Sequence, residues 1–402
     1  MDFTLSPRVE ELRRRVAAFM DEHVYPAEKV AQEQVHASGD EHREPEVVRD
    51  LRRRAKSEGL WNFFMPDEHY GQGLQNHEYA PLCEIMGRSP IGSRTFNCMA
   101  PDTGNMEIMA EFGTGDQKRR WLEPCLAGDA RSAFSMTEPE TAGSDPTQLR
   151  TRAVRDGDDY VINGHKWFTT GAINAAFAIV MVVTDPDAPP HRRASQIIVP
   201  AGTPGFNIIR PISVMGHTGG DAHCEIRYED CRVPATNMLG REGDGFAIAQ
   251  ARLGPGRIHH CMRSIGVAER ALELMCRRAA TRFTHGSLLA DKANIQEWIA
   301  RSRIEIDSTR LMVMHAAWKM DTMGKREARN EISMIKVLAA NTVMVVLDRA
   351  IQVHGAMGVS DDTPIARHWR DSRALRIVDG PDEVHLMTIA RRELRRFRDQ
   401  DV

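Results

Sequence analysis

The sequence predicts an α+β protein with three consecutive parts: an N-terminal helical domain over residues 1–130, a middle β-domain of barrel or sandwich type over residues 131–240, and a C-terminal four-helix bundle domain over residues 241–402. Apolar residues recur at helical spacing in the first and last parts, whereas the middle part carries short β-branched or alternating runs. The chain has 402 residues, 42% of them hydrophobic, which is enough apolar material for a sizeable core.

Both outer parts show helical periodicity. In the first part, segments such as RVEELRRRVAAFMDEHV and PEVVRDLRRRAKSEGLW repeat apolar residues at this spacing, and breaks with Gly or Pro separate them. The last part keeps the same spacing over longer stretches, for example EISMIKVLAANTVMVVLDRAIQVHG. Helices this long, with several apolar positions per turn, are typical of a four-helix bundle.

The middle part has the period of β-strands instead. Runs such as DYVINGHKWFTT, AFAIVMVVTD and SQIIVP are rich in β-branched and aromatic residues. Turn signals such as DGDD and AGTPG stand between such runs. These runs predict a compact all-β domain.

Charge and cysteine usage narrow the class of protein. Lys and Arg number 53 against 56 Asp and Glu, so the chain has no global field that would attract nucleic acid or an anionic membrane. Seven cysteines without a CxxC pair argue against a disulfide framework and fit a reducing compartment. The first residues lack a signal-peptide pattern, and no apolar run is long enough to span a bilayer. We therefore expect a cytoplasmic protein without nucleic-acid or membrane partners.

Familiar nucleotide and metal motifs do not match. The glycine clusters at Gly71 and Gly240 fit neither GxGxxG after a strand nor GxxxxGK[ST], so any dinucleotide must be bound in another way. The adjacent His259 and His260 have no carboxylate or cysteine at a spacing typical of metal ligands, and we expect them to be surface or packing residues. No metal site is predicted.

Two segments of the middle part have the composition of a ligand site. FSMTEPETAGSDP runs from a strand end into a polar loop whose backbone N–H groups and hydroxyls suit a heterocycle edge or an anion. Further on, Trp167 and Phe168 stand beside two threonines at a strand end and could form a wall for a flat ring. A capped β-turn and core aromatics are the structural alternatives.

A third segment, RALRIVDGPDEVHL, predicts a helix, a break at Asp379, and a second helix. Aspartate is a favoured N-cap, and Gly-Pro is typical of turns, so a purely structural role explains this residue from its own segment. A carboxylate at a chain break could also face a small molecule.

The whole set of motifs resembles the acyl-CoA dehydrogenase family. MTEPETAGSD, INGHKWFTTGA, a helical segment opening with Arg257, TRFTHGSLL, AIQVHGAMGV and RDSRALRIVDG occur in the family's order over nearly the whole chain. The resemblance implies the helix, β-domain, helix fold read above. It also implies FAD bound between the β-domain and the bundle, with part of the pocket supplied by a neighbouring subunit.

The resemblance assigns roles to individual residues. Phe134, Met136 and Thr137 would line the flavin pyrimidine, Phe168 would face the isoalloxazine, and Thr170 would lie near flavin N5. Arg282 would reach the FAD diphosphate, where a guanidinium fork suits phosphate oxygens, and His285 replaces a Phe that is usual in the family. The other implied contacts to the cofactor or substrate are Gln352, Gly355 and Glu383 for FAD, and Ser144, Arg257 and Gly380 for acyl-CoA.

By resemblance, Asp379 stands where most of the family carries a Glu that removes the α-proton of the acyl thioester. Some relatives place this base on the helix near Arg257, but this sequence has Gly256 at that site. The implied reaction yields a trans-2-enoyl-CoA and reduced flavin, with electrons passed to electron-transferring flavoprotein. Asp is one methylene shorter than Glu, so either the backbone advances or the substrate differs.

The resemblance also implies an assembly and leaves two other functions open. A homodimer or homotetramer is expected, because contacts such as that of Arg282 belong to the adjacent chain. The DGPDEVH form resembles a branch associated with long or 4-hydroxylated acyl-CoAs. Nitroalkane-oxidising flavoproteins of the same superfamily use Asp as the base, and a non-enzymatic relative binds DNA. The near-neutral charge does not support DNA binding.

Overall fold

The structure is a computed structural model that describes residues 4–398. Residues 1–3 and 399–402, which the predicted terminal domains include, lie outside the described residues. By compactness the chain divides into two units. The first, called here the helical unit, contains the N-terminal segment to Glu28, Ala55–Phe96, and the chain from Arg257 on. The second, the sheet unit, contains Lys29–Arg54 and Asn97–Gly256. The predicted boundaries after residues 130 and 240 stay predictions.

Helices fill the chain before the first strand. The first helix begins where Ser6 accepts a hydrogen bond from the N–H of Val9 at 3.3 Å and Pro7 occupies the first turn. The helices are α1 (Pro7–Phe19), α2 (Tyr25–Ser38), α3 (Glu46–Ser57), α4 (Asn76–Gly87), α5 (Gly92–Thr95), α6 (Asp102–Phe112), α7 (Gly115–Gln117) and α8 (Glu123–Ala127), with π-helical turns at Met20–Val24 and Lys118–Leu122.

Strands dominate the middle of the chain. They are β1 (Ser132–Ser135), β2 (Arg152–Asp156), β3 (Asp159–Thr170), β4 (Phe177–Val183), β5 (Ala194–Pro200), β6 (Phe206–Ile212), β7 (His223–Pro234) and β8 (Met238–Leu239). They form an eight-stranded sheet in the order β6-β7-β3-β2-β4-β5-β8, and β1 pairs in parallel with β4. Every residue of β4 is buried, which explains its continuous apolar run.

Long helices return after β8. They are α9 (Gly245–Thr281), α10 (Ala293–Met323), α11 (Arg329–His354), α12 (Ile365–Arg373) and α13 (Asp382–Arg398), with a short hairpin of β9 (Phe283–Thr284) and β10 (Ser287–Leu288) between the first two. The predicted α+β fold class is confirmed. No helix within residues 4–398 is both long and apolar enough to cross a membrane.

Candidate active site

The loop between α12 and α13 holds Asp379 in an uncommon backbone conformation. A 3-10 turn, Ala374–Arg376, follows α12, and Asp379 then adopts φ +55°, in the left-handed region. Non-glycine residues in this region are strained, and such strain concentrates at functional sites. Helix α13 begins at Asp382, so the residue directly before it is Pro381. The alternative that Asp379 is the N-cap of this helix is therefore wrong.

Side chains from two helices hold the backbone carbonyl of Asp379. Arg257 of α9 donates its Nε–H to this oxygen at 2.8 Å, and His385 of α13 lies 3.3 Å from it through Nε2. Gly380 is required next to Asp379, because its φ is +102° and a Cβ there would lie 2.9 Å from Nε2 of His385. Lys336 of α11 donates to the carbonyl of Leu375 in the preceding turn.

The carboxylate of Asp379 faces a histidine of α9. Nε2 of His260 lies 3.2 Å from Oδ2 of Asp379, and the two side chains are only 23% and 20% exposed. On the other side of the ring, Arg263 approaches Nδ1 of His260 at 3.0 Å. The expectation that His260 is a surface or packing residue stays a prediction, and the structure adds that its ring contacts the predicted catalytic carboxylate.

Burial and nearby charges have opposing effects on the pKa values of the cationic side chains around Asp379. Burial lowers the pKa of Arg257, and the negative charge of Asp379 offsets part of that effect. Burial likewise lowers the pKa of Lys336, with Cys261 and Asp379 opposing it. Burial, with Arg257 and Lys336 nearby, lowers the pKa of His385 to about 4, so His385 is neutral near pH 7. Arg257 and Lys336 thus both interact electrostatically with Asp379, whose side chain is partly exposed.

The neighbouring histidine on α9 serves packing. His259 is buried, its ring meets Tyr79 edge to face at 4.9 Å, and its Nε2 lies 3.3 Å from Oδ1 of Asn76. Burial lowers the pKa of His259 to about 3. Within residues 4–398, no group of three or more His, Cys, Asp or Glu side chains is arranged to hold a metal ion.

In the sheet unit, a buried ion pair anchors the end of β1. Lys166 of β3 donates to Glu138 at 2.9 Å and to the carbonyl of Met136 at 2.8 Å, and both charged side chains are at most 1% exposed. Burial lowers the pKa of Lys166 to about 8 although Glu138 opposes it. Burial acts to raise the pKa of Glu138, but Lys166 and Thr151 outweigh it and lower that pKa. The N–H of Trp167 binds the carbonyl of Thr137 at 3.0 Å.

An aromatic pair lies at the irregular end of β3. The pairing of β3 with β7 shifts register between Lys166 and Thr169, and Phe168 within this shift has φ +50° and is 42% exposed. Trp167 lies 5.0 Å from Phe168, ring to ring, and its buried indole N–H has no hydrogen-bond partner within the described chain. The Thr170 hydroxyl lies 2.8 Å from Nδ1 of His223. An exposed aromatic face, a hydroxyl and an unpaired donor fit a flat heterocycle with polar edges.

The predicted residues of β1 and the loop after it differ in burial. Phe134 and Met136 are partly buried and pack against the cluster that contains Met181. The guanidinium of Arg252 lies over the ring of Phe134 at 4.2 Å, a cation–π contact that the motifs did not suggest. Ser144 is exposed in the loop that follows.

Four further predicted cofactor residues lie away from the Asp379 loop in the sequence and are exposed. Arg282 directly precedes β9, and His285 lies in the turn between β9 and β10 with φ +46°. Gln352 lies in the last turn of α11, which ends at His354, and Gly355 follows this helix with φ +64°. Glu383 is also exposed, in the first turn of α13.

Comparison with known proteins shows the class of protein. Profiles of the acyl-CoA dehydrogenase N-terminal, middle and C-terminal domains match residues 6–129, 133–231 and 243–394. A Mycobacterium tuberculosis protein designated probable acyl-CoA dehydrogenase FadE2 is 52% identical over 98% of each chain. A solved Mycobacterium abscessus structure, designated a candidate acyl-CoA dehydrogenase, is 45% identical with a TM-score of 0.95, covering 98% of this chain and 100% of that one.

A third relative is longer. Acyl-CoA dehydrogenase family member 11 of Gallus gallus is 48% identical over 98% of this chain, but the chain spans only 51% of that protein's length. The fold and these matches define an FAD-dependent oxidoreductase. The chain belongs to the acyl-CoA dehydrogenase family.

Proposed function

We propose that the protein catalyses α,β-dehydrogenation of an acyl-CoA thioester to a trans-2-enoyl-CoA, with Asp379 as the base that takes the α-proton. The observation that carries this proposal is the setting of the Asp379 carboxylate, held on a strained loop beside His260 and near Arg257 and Lys336. A base must be ionised and fixed in position before it can take a proton efficiently.

The charges around the site support the ionised form of the base. Opposite charges nearby favour a carboxylate, and both Arg257 and Lys336 interact electrostatically with Asp379. The hydrogen bond from Arg257 to the Asp379 carbonyl fixes the backbone, which matters because aspartate has one methylene fewer than glutamate with which to reach a substrate. FAD, when bound, supplies the acceptor at N5 for the hydride that leaves the β-carbon.

The cofactor and substrate contacts are part of the same proposal. The residues proposed to hold FAD are Phe134, Met136, Thr137, Phe168, Thr170, Arg282, His285, Gln352, Gly355 and Glu383. Those proposed to contact acyl-CoA are Ser144, Arg257 and Gly380. The exposed ring of Phe168 and the indole N–H of Trp167, which has no hydrogen-bond partner in the part of the chain that the structure describes, support an aromatic ligand with polar edges at the end of β3.

The wider setting follows from family membership. We propose a role in fatty-acid β-oxidation in the cytoplasm, electron transfer to electron-transferring flavoprotein, and a homodimer or homotetramer in which Arg282 reaches a neighbouring cofactor. Exposure of Arg282 and of Phe283 beside it, which is 65% exposed, agrees with a contact to another chain. The three-domain division after residues 130 and 240 belongs to the same proposal.

The aspartate base keeps nitroalkane oxidation as a second candidate. In either reaction Asp379 would take a proton from carbon, so the substrate decides between them. We expect a panel of acyl-CoAs to bleach the flavin absorbance without oxygen. Oxygen consumption with a nitroalkane, and no bleaching by any acyl-CoA, would favour the second candidate.

The decisive variant is Asp379→Asn, which keeps the size of the side chain but removes its basicity. Loss of a positioned general base lowers the rate by about 10²–10⁴-fold. We expect the variant to keep FAD and bind acyl-CoA but to reduce its flavin that much more slowly in stopped flow. Asp371→Asn is the matched control, because Asp371 is exposed and pairs only with Arg367 and Arg370 of its own helix in the contacts seen. A wild-type rate in Asp379→Asn would refute the proposed role.

A further inference from the structure

His260 is fixed in one protonation state by its two neighbours. Arginine has N–H donors and no acceptor, so Nδ1 of His260, 3.0 Å from the guanidinium of Arg263, must present its lone pair. In a neutral imidazole the proton is then on Nε2, the atom 3.2 Å from Oδ2 of Asp379. The ring therefore donates to the carboxylate.

The surroundings disfavour a second proton on this ring. The groups that face His260 are Arg263 on its own helix, Lys336 on α11, and Asp379 before α13. Burial lowers the pKa of His260, and the two cations add to that effect, while Asp379 opposes it. A protonated Nδ1 would also point an N–H at the N–H groups of Arg263. The contact is thus a hydrogen bond from a neutral donor to an anion.

Such a bond has two consequences for a carboxylate. It fixes the rotation of the side chain, because one oxygen is tied to a ring on a rigid helix of 37 residues. It also favours the ionised form, since the donor stabilises the negative charge more than it stabilises the acid. The backbone of Asp379 has its own contacts, with Arg257 and His385, so the contact of His260 acts on the carboxylate alone.

We propose that His260 is the positioning residue for Asp379: its Nε2–H holds the carboxylate in the orientation and ionised state that accept the α-proton. Arg263 sets the tautomer of His260, so the three residues form one chain, Arg263 to His260 to Asp379. This inference rests on the proposed role of Asp379 as the base. His260 donates a hydrogen bond before and after the proton transfer and does not itself carry the substrate proton.

The test compares His260→Leu with His260→Gln in the FAD-loaded enzyme. Gln places an amide N–H near the position of Nε2, whereas Leu has no donor. Hydrogen bonds to charged groups are stronger than those between neutral groups, and we expect His260→Leu to reduce flavin about 10–100-fold more slowly at saturating acyl-CoA, with KM nearly unchanged. His260→Gln should recover most of this rate.

The pH dependence of the flavin-reduction rate distinguishes a positioning role of His260 from a packing role. Without the donor, the ionised carboxylate is less favoured and needs a higher pH to form, so the acidic limb of the rate profile should move up by about one pH unit in His260→Leu. His260→Gln should return the limb towards the wild-type position. The matched control is His259→Gln, in the adjacent packing histidine, which should leave the limb in place.

The outcomes are distinguishable from those of the proposed function. A wild-type rate and limb in His260→Leu, together with an inactive Asp379→Asn, would overturn the role of His260 and leave Asp379 as the base. A fully active Asp379→Asn would overturn both. An equal shift of the limb in His259→Gln would overturn the positioning role as well. If His260→Leu loses its fold, His260→Asn, which is too short to reach Asp379, provides the same comparison with His260→Gln.

Discussion

The sheet unit and the helical unit each use a cation to hold a backbone carbonyl at a proposed site, but Lys166 is fully buried and Arg257 only partly, and the two charges are balanced differently. In the sheet unit, Lys166 holds the carbonyl of Met136 and has its own fully buried anion, Glu138. In the helical unit, Arg257 holds the carbonyl of Asp379 itself, and the same residue supplies the opposing negative charge. The charge of Lys166 is thus balanced by a residue with a structural role, Glu138. The charge of Arg257 is balanced by the proposed catalytic base, Asp379.

The two cations should therefore affect different quantities: Lys166 the unfolding free energy, and Arg257 the reaction rate. Breaking a buried pair leaves an uncompensated charge that the interior solvates poorly, so its loss should be felt as unfolding. Arg257 is part of a cluster with 20% exposure at the Asp379 side chain, where water can still respond. Substitution of Arg257 should therefore lower mainly the rate of the proposed reaction and change the unfolding free energy little.

The largest effect is expected from breaking the pair in the sheet unit. Lys166→Met leaves Glu138 buried without its cation, and such a loss typically costs about 3–5 kcal/mol of unfolding free energy. Urea unfolding of the protein measures this change. The double variant Lys166→Met/Glu138→Gln removes both charges and should regain much of the loss. A single variant as stable as wild type would contradict the structural role of the pair.

An intermediate effect is expected at the anchor in the helical unit. Arg257→Met keeps the length of the side chain but removes a charge-assisted hydrogen bond to Asp379, a contact worth about 1.5–3 kcal/mol. We expect a comparable loss in kcat/KM, roughly 10–100-fold, with a small change in unfolding free energy. Arg301→Met, which breaks an exposed pair with Glu297 on α10, is the control. Equal losses of unfolding free energy in Lys166→Met and Arg257→Met would contradict the expectation that Lys166 acts on stability and Arg257 mainly on the rate.

The smallest effect per residue is expected from the buried histidines of the helical unit, which should make the unfolding free energy fall as the pH decreases. Burial lowers the pKa values of His259 and His368 to about 3, and burial with nearby cations lowers that of His385 to about 4. The unfolded chain takes up protons below its ordinary histidine pKa of about 6.5 while these folded side chains remain neutral, so stability falls as pH decreases from about 6.5 towards 4.

Each of these histidines should lower the unfolding free energy by about 1 kcal/mol between pH 7.5 and 5.5. His368 is the most direct test, because its buried Nε2 has no hydrogen-bond partner within residues 4–398. We expect His368→Leu to show a shallower dependence of stability on pH, measured by urea unfolding at both values. The same slope in this variant and in wild type would argue against a buried neutral His368.

Some features of the site were accessible from local sequence patterns. Spacing predicted the helical and strand regions, because burial of one helix face or one sheet face imposes a period on the chain. The predicted break at Asp379 was confirmed, since Gly380 and Pro381 disfavour helix locally. Two further signals were present but unused. Lys166 follows the inward alternation of Tyr160 and Ile162 on β3, and Arg257, His260 and Arg263 recur every third residue along α9.

What the sequence determined by itself was therefore the order of elements, the family, and the position of a carboxylate at a chain break, all of which depend on neighbours along the chain. Only the tertiary structure decided which groups face that carboxylate. His260 lies 119 positions before Asp379, a value obtained from their numbers, and no local propensity encodes their 3.2 Å separation. That contact arises because burial of apolar faces packs the helices together, and the packing then determines which polar side chains must share the remaining space.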